Sequence, residues 1–232
     1  EPPETVNLKP ASAFTALGYP KKRIEAPDKV TGNAPFGIDI TRPGMIYGAV
    51  ARPPVYGSLV IAFDDKAARA IPGVLNVKAI DAGVVVLAKD YWTASKGAKA
   101  LTVQWDAQDL DQLLTASFTE QYRALSEQDG LLAEDIGDAK GVHKAASAVH
   151  EAVYEMPYLA HATLEPMNCT AQVFDDRCEI WVGTQNQSND RTVVAKMLGL
   201  RESSVVIKRT LMGGNFGRRA SKTADFITDA VQ

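Results

Sequence analysis

The residue types best suited to binding a ligand lie in a glycine-rich turn, Leu211-Met212-Gly213-Gly214-Asn215-Phe216-Gly217-Arg218-Arg219. It follows the apolar run Val205-Val206-Ile207 and precedes a helical pattern over 222–231. A strand, a glycine-rich turn and a helix in this order let backbone N–H groups converge on an anionic or oxo-like group. Because glycine has no Cβ, the main chain can approach a ligand closely. The pattern indicates a ligand-facing loop, and the alternative is an ordinary strand-to-helix turn.

This turn differs from the two common phosphate-binding motifs. Asn215 interrupts the G-x-G spacing of a dinucleotide fingerprint, and no Gly-Lys-Ser/Thr sequence ends the turn as it would in a P-loop. A phosphate-binding enzyme is therefore only the third hypothesis for this chain.

Gln185 is the second candidate, in the stretch Trp181-Val182-Gly183-Thr184-Gln185-Asn186-Gln187. The stretch ends a predicted strand and precedes a predicted helix, and ligands often bind at the carboxyl ends of strands in α/β folds. A glutamine side chain offers two donors and an acceptor, which suits an oxo or amide group. The alternative is that Thr184 or Ser188 only caps the helix that begins near Asp190.

His161 and Glu165 are the third candidate, either as an acid–base pair or as two metal ligands. Their four-residue spacing would bring them together only on a helix, and Pro166 disfavours helix at Glu165. We therefore expect a hydrogen-bonded structural histidine and glutamate in preference to a metal site. No Ser-His-Asp order and no pair of general-acid carboxylates stands out in the sequence.

The cysteines, Cys169 and Cys178, flank a predicted hairpin with its turn at 175–177. In that register Cys169 faces residues near Gly183, several pairs away from Cys178, so we expect no disulfide between them. Two buried structural thiols are the favoured interpretation.

Composition and charge argue against several classes of function. The 232 residues are 46% hydrophobic and 23% charged, with a formal net charge of -3 at pH 7, which is ordinary for a globular protein. The slight acidity gives no support to a nucleic-acid-binding surface. No apolar run reaches the roughly 18 residues that a membrane span needs.

Two α/β units are expected to position these candidates. Residues 1–24 are Pro-rich and aperiodic, which predicts an extended arm or linker. Residues 25–106 interleave strands and helices, which is typical of a mixed α/β sandwich. The elements predicted there are strands within 43–52, 60–63, 74–80, 84–88 and 101–105, and helices at 64–70 and 91–100.

The remainder divides into a connector and a second unit. Residues 107–148 are polar and predict helices at 115–127 and 138–148, which cross the surface between two lobes. Residues 149–232 predict a second α/β unit. Its expected strands lie at 149–155, 170–174, 178–182 and 205–211, and its expected helix at 190–198 is ended by Gly199.

Several stretches in one collinear order carry a family resemblance. They are 30–39 (VTGNAPFGID), 42–47 (RPGMIY), 51–54 (ARPP), 71–74 (IPGV), 90–94 (DYWTA), 161–171 (HATLEPMNCTA), 183–185 (GTQ), 197–200 (MLGL) and 213–219 (GGNFGRR). Together they resemble the molybdenum-binding large subunit of the xanthine oxidase/aldehyde oxidoreductase family, of the isoquinoline 1-oxidoreductase beta-subunit type. The resemblance extends from about residue 22 over nearly the whole chain.

The resemblance implies a domain organisation and a set of site residues. Residues 25–106 would be a hammerhead-type α/β domain, 107–148 a helical connector, and 149–232 the start of a molybdopterin-binding domain. Gln185 would approach an oxo ligand of molybdenum. The other cofactor-binding residues would be Gly213, Gly214, Phe216 and Gly217, with the amides of Phe216 and Gly217 facing the metal's oxygen ligands.

The resemblance also implies chemistry and partners. The full-length protein would hold molybdopterin, in its cytosine dinucleotide form, and hydroxylate aldehydes or N-heterocycles with water-derived oxygen. Electrons would leave through a small [2Fe-2S] subunit, since this chain lacks the Cys₄ spacing of an iron–sulfur site. Relatives of this subtype are often exported and paired with cytochrome c, which favours the periplasm.

Two positions depart from the family pattern. Asn215 replaces the usual third glycine and adds a side chain close to the expected cofactor, although asparagine tolerates a positive φ better than most residues. Ala220 stands where some members carry a substrate-contacting glutamate, so purine-like substrates are disfavoured. If Asn215 marks the loss of the cofactor site, the chain would instead be a non-catalytic module for subunit assembly.

We expect the chain to be an internal segment of a longer protein. It starts without an initiator Met, and Gln232 lies inside a helical pattern. The family's catalytic glutamate, a general base, and most pterin contacts would then lie downstream, so no catalytic residue and no metal ligand is predicted in this segment. We expect the segment alone to bind no molybdenum cofactor and to have no turnover.

Overall fold

The computed structural model describes residues 5–110 and 113–232 and has a mixed α/β architecture. Its strands are β1 (Tyr47–Ala51), β2 (Leu59–Asp64), β3 (Val74–Ile80), β4 (Gly83–Ala88), β5 (Thr102–Asp106), β6 (Thr170–Val173), β7 (Cys178–Val182) and β8 (Val205–Arg209). Its α-helices are α1 (Ala26–Thr31), α2 (Lys66–Arg69), α3 (Tyr91–Lys99), α4 (Thr115–Ser126), α5 (Ala139–Ala145), α6 (Gln187–Leu198) and α7 (Asp225–Val231).

The first unit is built on an antiparallel sheet with the strand order β1-β4-β3, beside a two-stranded ribbon of β2 and β5. The central strand β4 is buried along nearly its whole length, which explains its continuous apolar sequence. Helix α3 packs closely on this sheet, because a Cβ at Gly97 would lie 2.7 Å from Val86 Cγ1. Asp90 caps α3 by accepting a hydrogen bond from the Thr93 N–H at 2.8 Å.

The second unit is a three-stranded sheet with the order β6-β7-β8. Strands β6 and β7 form an antiparallel hairpin, whereas β7 and β8 are parallel and are joined by the crossover helix α6. Helix α6 ends at Gly199, whose φ of 67° is a left-handed C-cap, as the sequence predicts. The buried core of this unit comprises Cys178, Ile180, Val182, Val194, Ala195, Val205, Ala224, Phe226, Ile227 and Val231.

The strand predicted at Val149 to Glu155 is wrong. Residues 146–169 form neither helix nor strand, and this segment packs instead against α4. Glu155 accepts a hydrogen bond from Arg123 Nε at 2.7 Å, and the hydroxyls of Tyr122 and Tyr158 lie 2.6 Å apart. Valine and tyrosine favour a strand only when a neighbouring strand can pair with them, and here side-chain contacts to a helix replace that pairing.

The cysteines agree with the sequence-based expectation about pairing. Both are free, and the hairpin register pairs Thr170 with Trp181 and Val173 with Cys178, which separates the two thiols along the sheet. Cys178 is fully buried, whereas Cys169 is only partly buried, so the expectation of two buried thiols is correct for Cys178 alone. Within the described ranges, the helices are too short or too polar to cross a membrane.

Candidate functional site

Two loops meet at the carboxyl ends of the parallel strands β7 and β8. Val182 and Arg209 are paired at the ends of these strands, and the Thr210 N–H donates to Val182 O at 3.1 Å. The chain then leaves β7 through Gly183 and leaves β8 through the glycine-rich turn. Because such strand ends are common binding positions in α/β folds, the topology places two of the sequence candidates side by side.

The glycine-rich turn needs unusual backbone angles. The φ values are +104° at Gly214, +49° at Phe216 and +90° at Gly217. The sequence suggested that Asn215 would adopt a positive φ. Among the described residues, however, Asn215 is not one of those with a positive φ. The strain falls instead on Phe216, a bulky residue in a region that L-residues other than Gly and Asn rarely occupy. Its side chain is 74% exposed.

Backbone donors of this turn are available to a ligand. Within residues 5–110 and 113–232, the N–H groups of Gly214, Asn215 and Phe216 donate to no protein acceptor. The Gly217 N–H makes only a long contact of 3.4 Å to Asn215 Oδ1. Successive free N–H groups at a glycine-rich turn form an anion-binding concavity, so the turn offers neutral donors to an oxo or anionic group.

The Gln185 side chain is exposed and has no hydrogen-bond partner in the part of the chain that the structure describes. Its backbone is fixed, because the Gln185 N–H donates to Arg219 O at 3.0 Å. The neighbouring Thr184 is buried; it accepts from the Asn186 N–H at 3.0 Å and donates to the Asp190 carboxylate. Thr184 therefore organises the start of α6, while Gln185 is left free to contact a ligand.

A buried ion pair lies behind the two loops. Glu165 is 7% exposed and Arg219 is 0% exposed, and Arg219 Nη2 lies 3.0 Å from Glu165 Oε2. The guanidinium also donates to three carbonyl oxygens: Gly214 O at 3.0 Å, Gly183 O at 3.3 Å and Glu165 O at 3.1 Å. A single side chain thus binds the glycine-rich turn, the loop before Gln185 and the segment around Glu165.

The Glu165 carboxylate accepts from two further segments. Oε1 takes the Ile38 N–H at 3.1 Å and Asn168 Nδ2 at 3.0 Å, while Oε2 takes the Gly213 N–H at 2.8 Å. Burial by itself raises the pKa of Glu165, but the hydrogen bonds from Gly213, Asn168 and Ile38 and the charge of Arg219 outweigh it and lower the pKa. Glu165 is therefore a charged structural acceptor in the folded protein.

His161 and Glu165 do not form an acid–base pair. Glu165 is buried against Arg219, whereas His161 is exposed. The segment between them is neither helix nor strand and has a strained φ of +44° at Ala162. His161 instead lines an open cavity of about 400 Å³, together with Thr163, Met167 and Arg218. No group of three or more His, Cys, Asp or Glu side chains suited to a metal occurs among the described residues.

The close packing around Glu165 explains one glycine of the turn. A Cβ at Gly213 would lie 2.4 Å from Glu165 Cβ and 3.3 Å from the Glu165 backbone nitrogen. Gly217 differs, since a Cβ there would meet nothing within 4 Å. The absence of a side chain is therefore required by internal packing at Gly213 and by the positive φ at Gly217.

A second ionic network joins the turn to the first α/β unit. Arg218 forms a two-bond pair with Asp225 on α7, at 2.9 and 2.5 Å. Asp229, one turn later on α7, pairs with Arg52 at the end of β1. Burial tends to raise the pKa of Asp225, but the bonds from Arg218 lower it, whereas burial leaves the pKa of Asp229 raised. Helix α7 is thus tied to both the turn and β1.

Arg219 is the site residue that the sequence reasoning missed. Two consecutive arginines after a glycine-rich turn usually indicate a solvated basic surface, and Arg218 is indeed partly exposed. The available signal was Glu165: a carboxylate in an apolar stretch next to proline needs a cationic partner if it is buried. The sequence contains 25 lysines and arginines, and nothing in their spacing selects Arg219 as that partner.

Comparison with known proteins identifies a related family. Residues 125–229 match the model of the molybdopterin cofactor-binding domain. The chain is 34% identical over 226 residues to the membrane-bound aldehyde dehydrogenase [pyrroloquinoline-quinone] of Gluconacetobacter polyoxogenes, covering 91% of this chain and 29% of that protein. It is 31% identical over 225 residues to isoquinoline 1-oxidoreductase subunit beta of Brevundimonas diminuta, covering 92% of this chain and 29% of that protein.

The fold is shared with solved enzymes. The crystal structure of quinoline 2-oxidoreductase from Pseudomonas putida 86 superposes with a TM-score of 0.62 at 18% identity, over 90% of this chain and 32% of that one. This likeness shows a common fold for the two α/β units. The chain spans less than a third of the length of each of these three relatives.

Proposed function

We propose that this chain, which belongs to the family of molybdenum-binding subunits of aldehyde and xanthine oxidoreductases, contributes one wall of a molybdenum hydroxylase site. The observation that supports this most directly is the pairing of free backbone donors with a free side-chain amide. The N–H groups of Gly214, Asn215 and Phe216 and the amide of Gln185 have no protein partners within the described ranges, and both loops follow neighbouring parallel strands.

The donor set fits the cofactor that the family model names. Neutral N–H donors suit the oxo and phosphate oxygens of a molybdopterin complex. Gln185, Gly213, Gly214, Phe216 and Gly217 would hold it. Gly213 would act through its carbonyl and amide bonds to Glu165, which shape the turn, and the others would face the cofactor's oxygens. No thiolate or imidazole in the turn would compete as a metal ligand.

The proposed reaction is hydroxylation of an aldehyde or N-heterocycle, R–H + H₂O → R–OH + 2H⁺ + 2e⁻. When bound, the molybdenum cofactor supplies the two-electron oxidation. The residues of this chain orient the group and donate hydrogen bonds to its oxygens, and a general-base glutamate is expected elsewhere in the full-length protein. Ala220 leaves the side-chain position after Arg219 without a carboxylate, which favours aldehydes and simple N-heterocycles over purines.

The proposal also covers the form of the cofactor, the electron acceptors and the compartment. We propose molybdopterin in its cytosine dinucleotide form, a small [2Fe-2S] subunit as the electron acceptor, and cytochrome c as a further acceptor in the periplasm. The aldehyde dehydrogenase of Gluconacetobacter polyoxogenes is named for pyrroloquinoline quinone. We favour molybdopterin for this chain because the match of residues 125–229 to the molybdopterin cofactor-binding model covers Gln185 and the whole glycine-rich turn.

The test uses the full-length protein that contains this chain, purified from a host that makes the cofactor. We expect about one molybdenum per protein by elemental analysis and activity on a panel of aldehydes and N-heterocycles. Gln185→Ala should lower turnover by about ten- to a hundredfold, whereas Gln172→Ala, which alters an exposed glutamine on β6, should not. A molybdenum-free wild-type protein would overturn the proposal and favour the assembly-module alternative.

A further inference from the structure

The Glu165–Arg219 pair controls the direction in which the turn's N–H groups point. The C=O and N–H of one trans peptide group point in opposite directions. Gly213 O accepts from the Glu165 N–H at 2.9 Å, so the Gly214 N–H points away from Glu165. Gly214 O accepts from Arg219 Nε at 3.0 Å, so the Asn215 N–H points away from Arg219.

The same pair also sets the position of Gln185 relative to the turn. Arg219 Nη1 donates to Gly183 O at 3.3 Å, and Arg219 O accepts from the Gln185 N–H at 3.0 Å. The side chain and the backbone of Arg219 therefore both bind the segment that carries Gln185. The two halves of the proposed donor set are joined through this one residue.

We infer that Glu165 and Arg219 are positioning residues: they hold the amides of Gly214 and Asn215 and the backbone that carries Gln185 in one fixed arrangement facing the cofactor. The inference rests on the proposed function for its ligand, but its geometry depends only on contacts within this chain. Neither residue touches the proposed ligand, because Arg219 is completely buried and Glu165 nearly so.

The pair is built to position loops, because its bonds go to irregular backbone. Arginine has five N–H donors in a rigid fork, and Arg219 directs them to three carbonyls and one carboxylate. Lysine has one nitrogen on a flexible stem, so it could keep the charge but not these contacts together. Arg219→Lys therefore keeps the positive charge but removes these hydrogen bonds, so it tests the hydrogen-bond geometry separately from the charge.

The experiment compares Arg219→Lys and Glu165→Asp in the full-length protein with a matched control, Arg177→Lys. Arg177 lies in the same unit but on the exposed β6–β7 turn, against Asp176 and Phe174. We would measure molybdenum content, kcat per bound molybdenum, KM, the melting temperature, and amide hydrogen exchange in peptides covering 183–186 and 213–219.

We expect both variants to fold, with kcat per bound molybdenum lowered about ten- to a hundredfold, KM changed less than about threefold, and faster exchange confined to these two peptides. A lower melting temperature with unchanged kcat per molybdenum and unchanged exchange would overturn the inference, and so would failure of both variants to fold. If the wild-type protein holds no molybdenum, the proposed function fails, while the exchange comparison still decides whether the pair positions the loops.

Discussion

The replacement Glu165→Gln tests the buried ion pair in this chain. Each carboxylate oxygen of Glu165 accepts two N–H donors: Ile38 N and Asn168 Nδ2 on Oε1, and Gly213 N and Arg219 Nη2 on Oε2. A glutamine side chain must place its NH₂ group at one of these two positions. In either orientation, the NH₂ group takes the place of an oxygen that accepts two N–H donors, and the Arg219 charge loses its partner.

The magnitude follows from the burial of the pair. Breaking a buried ion pair by neutralising one partner costs about 3–5 kcal/mol, because the remaining charge stays buried without compensation. At about 2–4 °C per kcal/mol for a chain of this size, a loss of 3 kcal/mol lowers the melting temperature by roughly 6–12 °C. The change in the free energy of unfolding should appear in urea titrations monitored by circular dichroism.

Glu155→Gln is the matched control. Glu155 also pairs with an arginine, Arg123, but its side chain is 45% exposed, and an exposed pair contributes at most about 1 kcal/mol. Glu165→Gln should therefore lose clearly more stability than Glu155→Gln in the same titration. If the two variants lose stability to within 1 kcal/mol of each other, the account of Glu165 and Arg219 as a buried, fully bonded pair is refuted.

Three further predictions concern single groups. The pKa of Glu165 in the folded protein is lowered below its ordinary value of 4.5. Its contribution to the free energy of unfolding is therefore present above pH 4.5 and is lost as the pH falls through the folded pKa. The urea midpoints of the wild type and Glu165→Gln should converge in acid. Burial raises the pKa of Cys178 to about 11, which leaves about one thiolate in a thousand at pH 8, so iodoacetamide should label Cys178 only after unfolding. Gly213→Ala should destabilise the chain by about 1–3 kcal/mol in urea titrations, because its Cβ meets backbone and Cβ atoms of Glu165 that cannot move independently, whereas alanine at the solvent-facing Gly130 should change stability by less than 1 kcal/mol.

The regular elements were predictable wherever local pattern and tertiary environment agree. Strand β4 is continuously apolar and is buried on both faces, so the strand predicted at 84–88 is within one residue of the observed one. Helix α6 ends at Leu198 as predicted, because Gly199 has a positive φ, but it begins at Gln187, three residues before the predicted Asp190. The segment 149–155 also contains residues that favour strands, but its Val153 and Tyr154 are 85% and 87% exposed. The conformation of residues 149–155 depends on whether a strand or a helix lies beside them in the fold. The sequence of the segment itself does not contain that information.

The candidate site was predictable in its loops but not in its support. Glycines and a strand-end glutamine have local signatures, so Gln185 and the glycine-rich turn could be singled out. Arg219 and Glu165 are 54 positions apart, and their pairing depends on the parallel register of β7 and β8 and on the path of residues 160–169. The positive φ at Phe216, where the sequence suggested Asn215, likewise has no local signature in the sequence.

A buried ion pair is weak evidence for stability in general, because desolvation of two charges offsets much of their attraction. In this chain the ion pair matters because it provides hydrogen-bond partners for the backbone that surrounds it. The turn after β8 and the loop after β7 leave the sheet, so their carbonyls lose ladder partners at a buried position where water cannot replace them. Arg219 supplies donors to two of these carbonyls, Gly214 O and Gly183 O, and to Glu165 O. Glu165 supplies an acceptor for the amides of Ile38 and Gly213 and a countercharge for Arg219. An apolar pair of equal volume could fill the space but would leave these groups unsatisfied, at about 1–3 kcal/mol each. The ion pair therefore allows irregular backbone to be packed tightly behind a surface that presents free amides, which is the arrangement that a donor-lined cofactor wall requires.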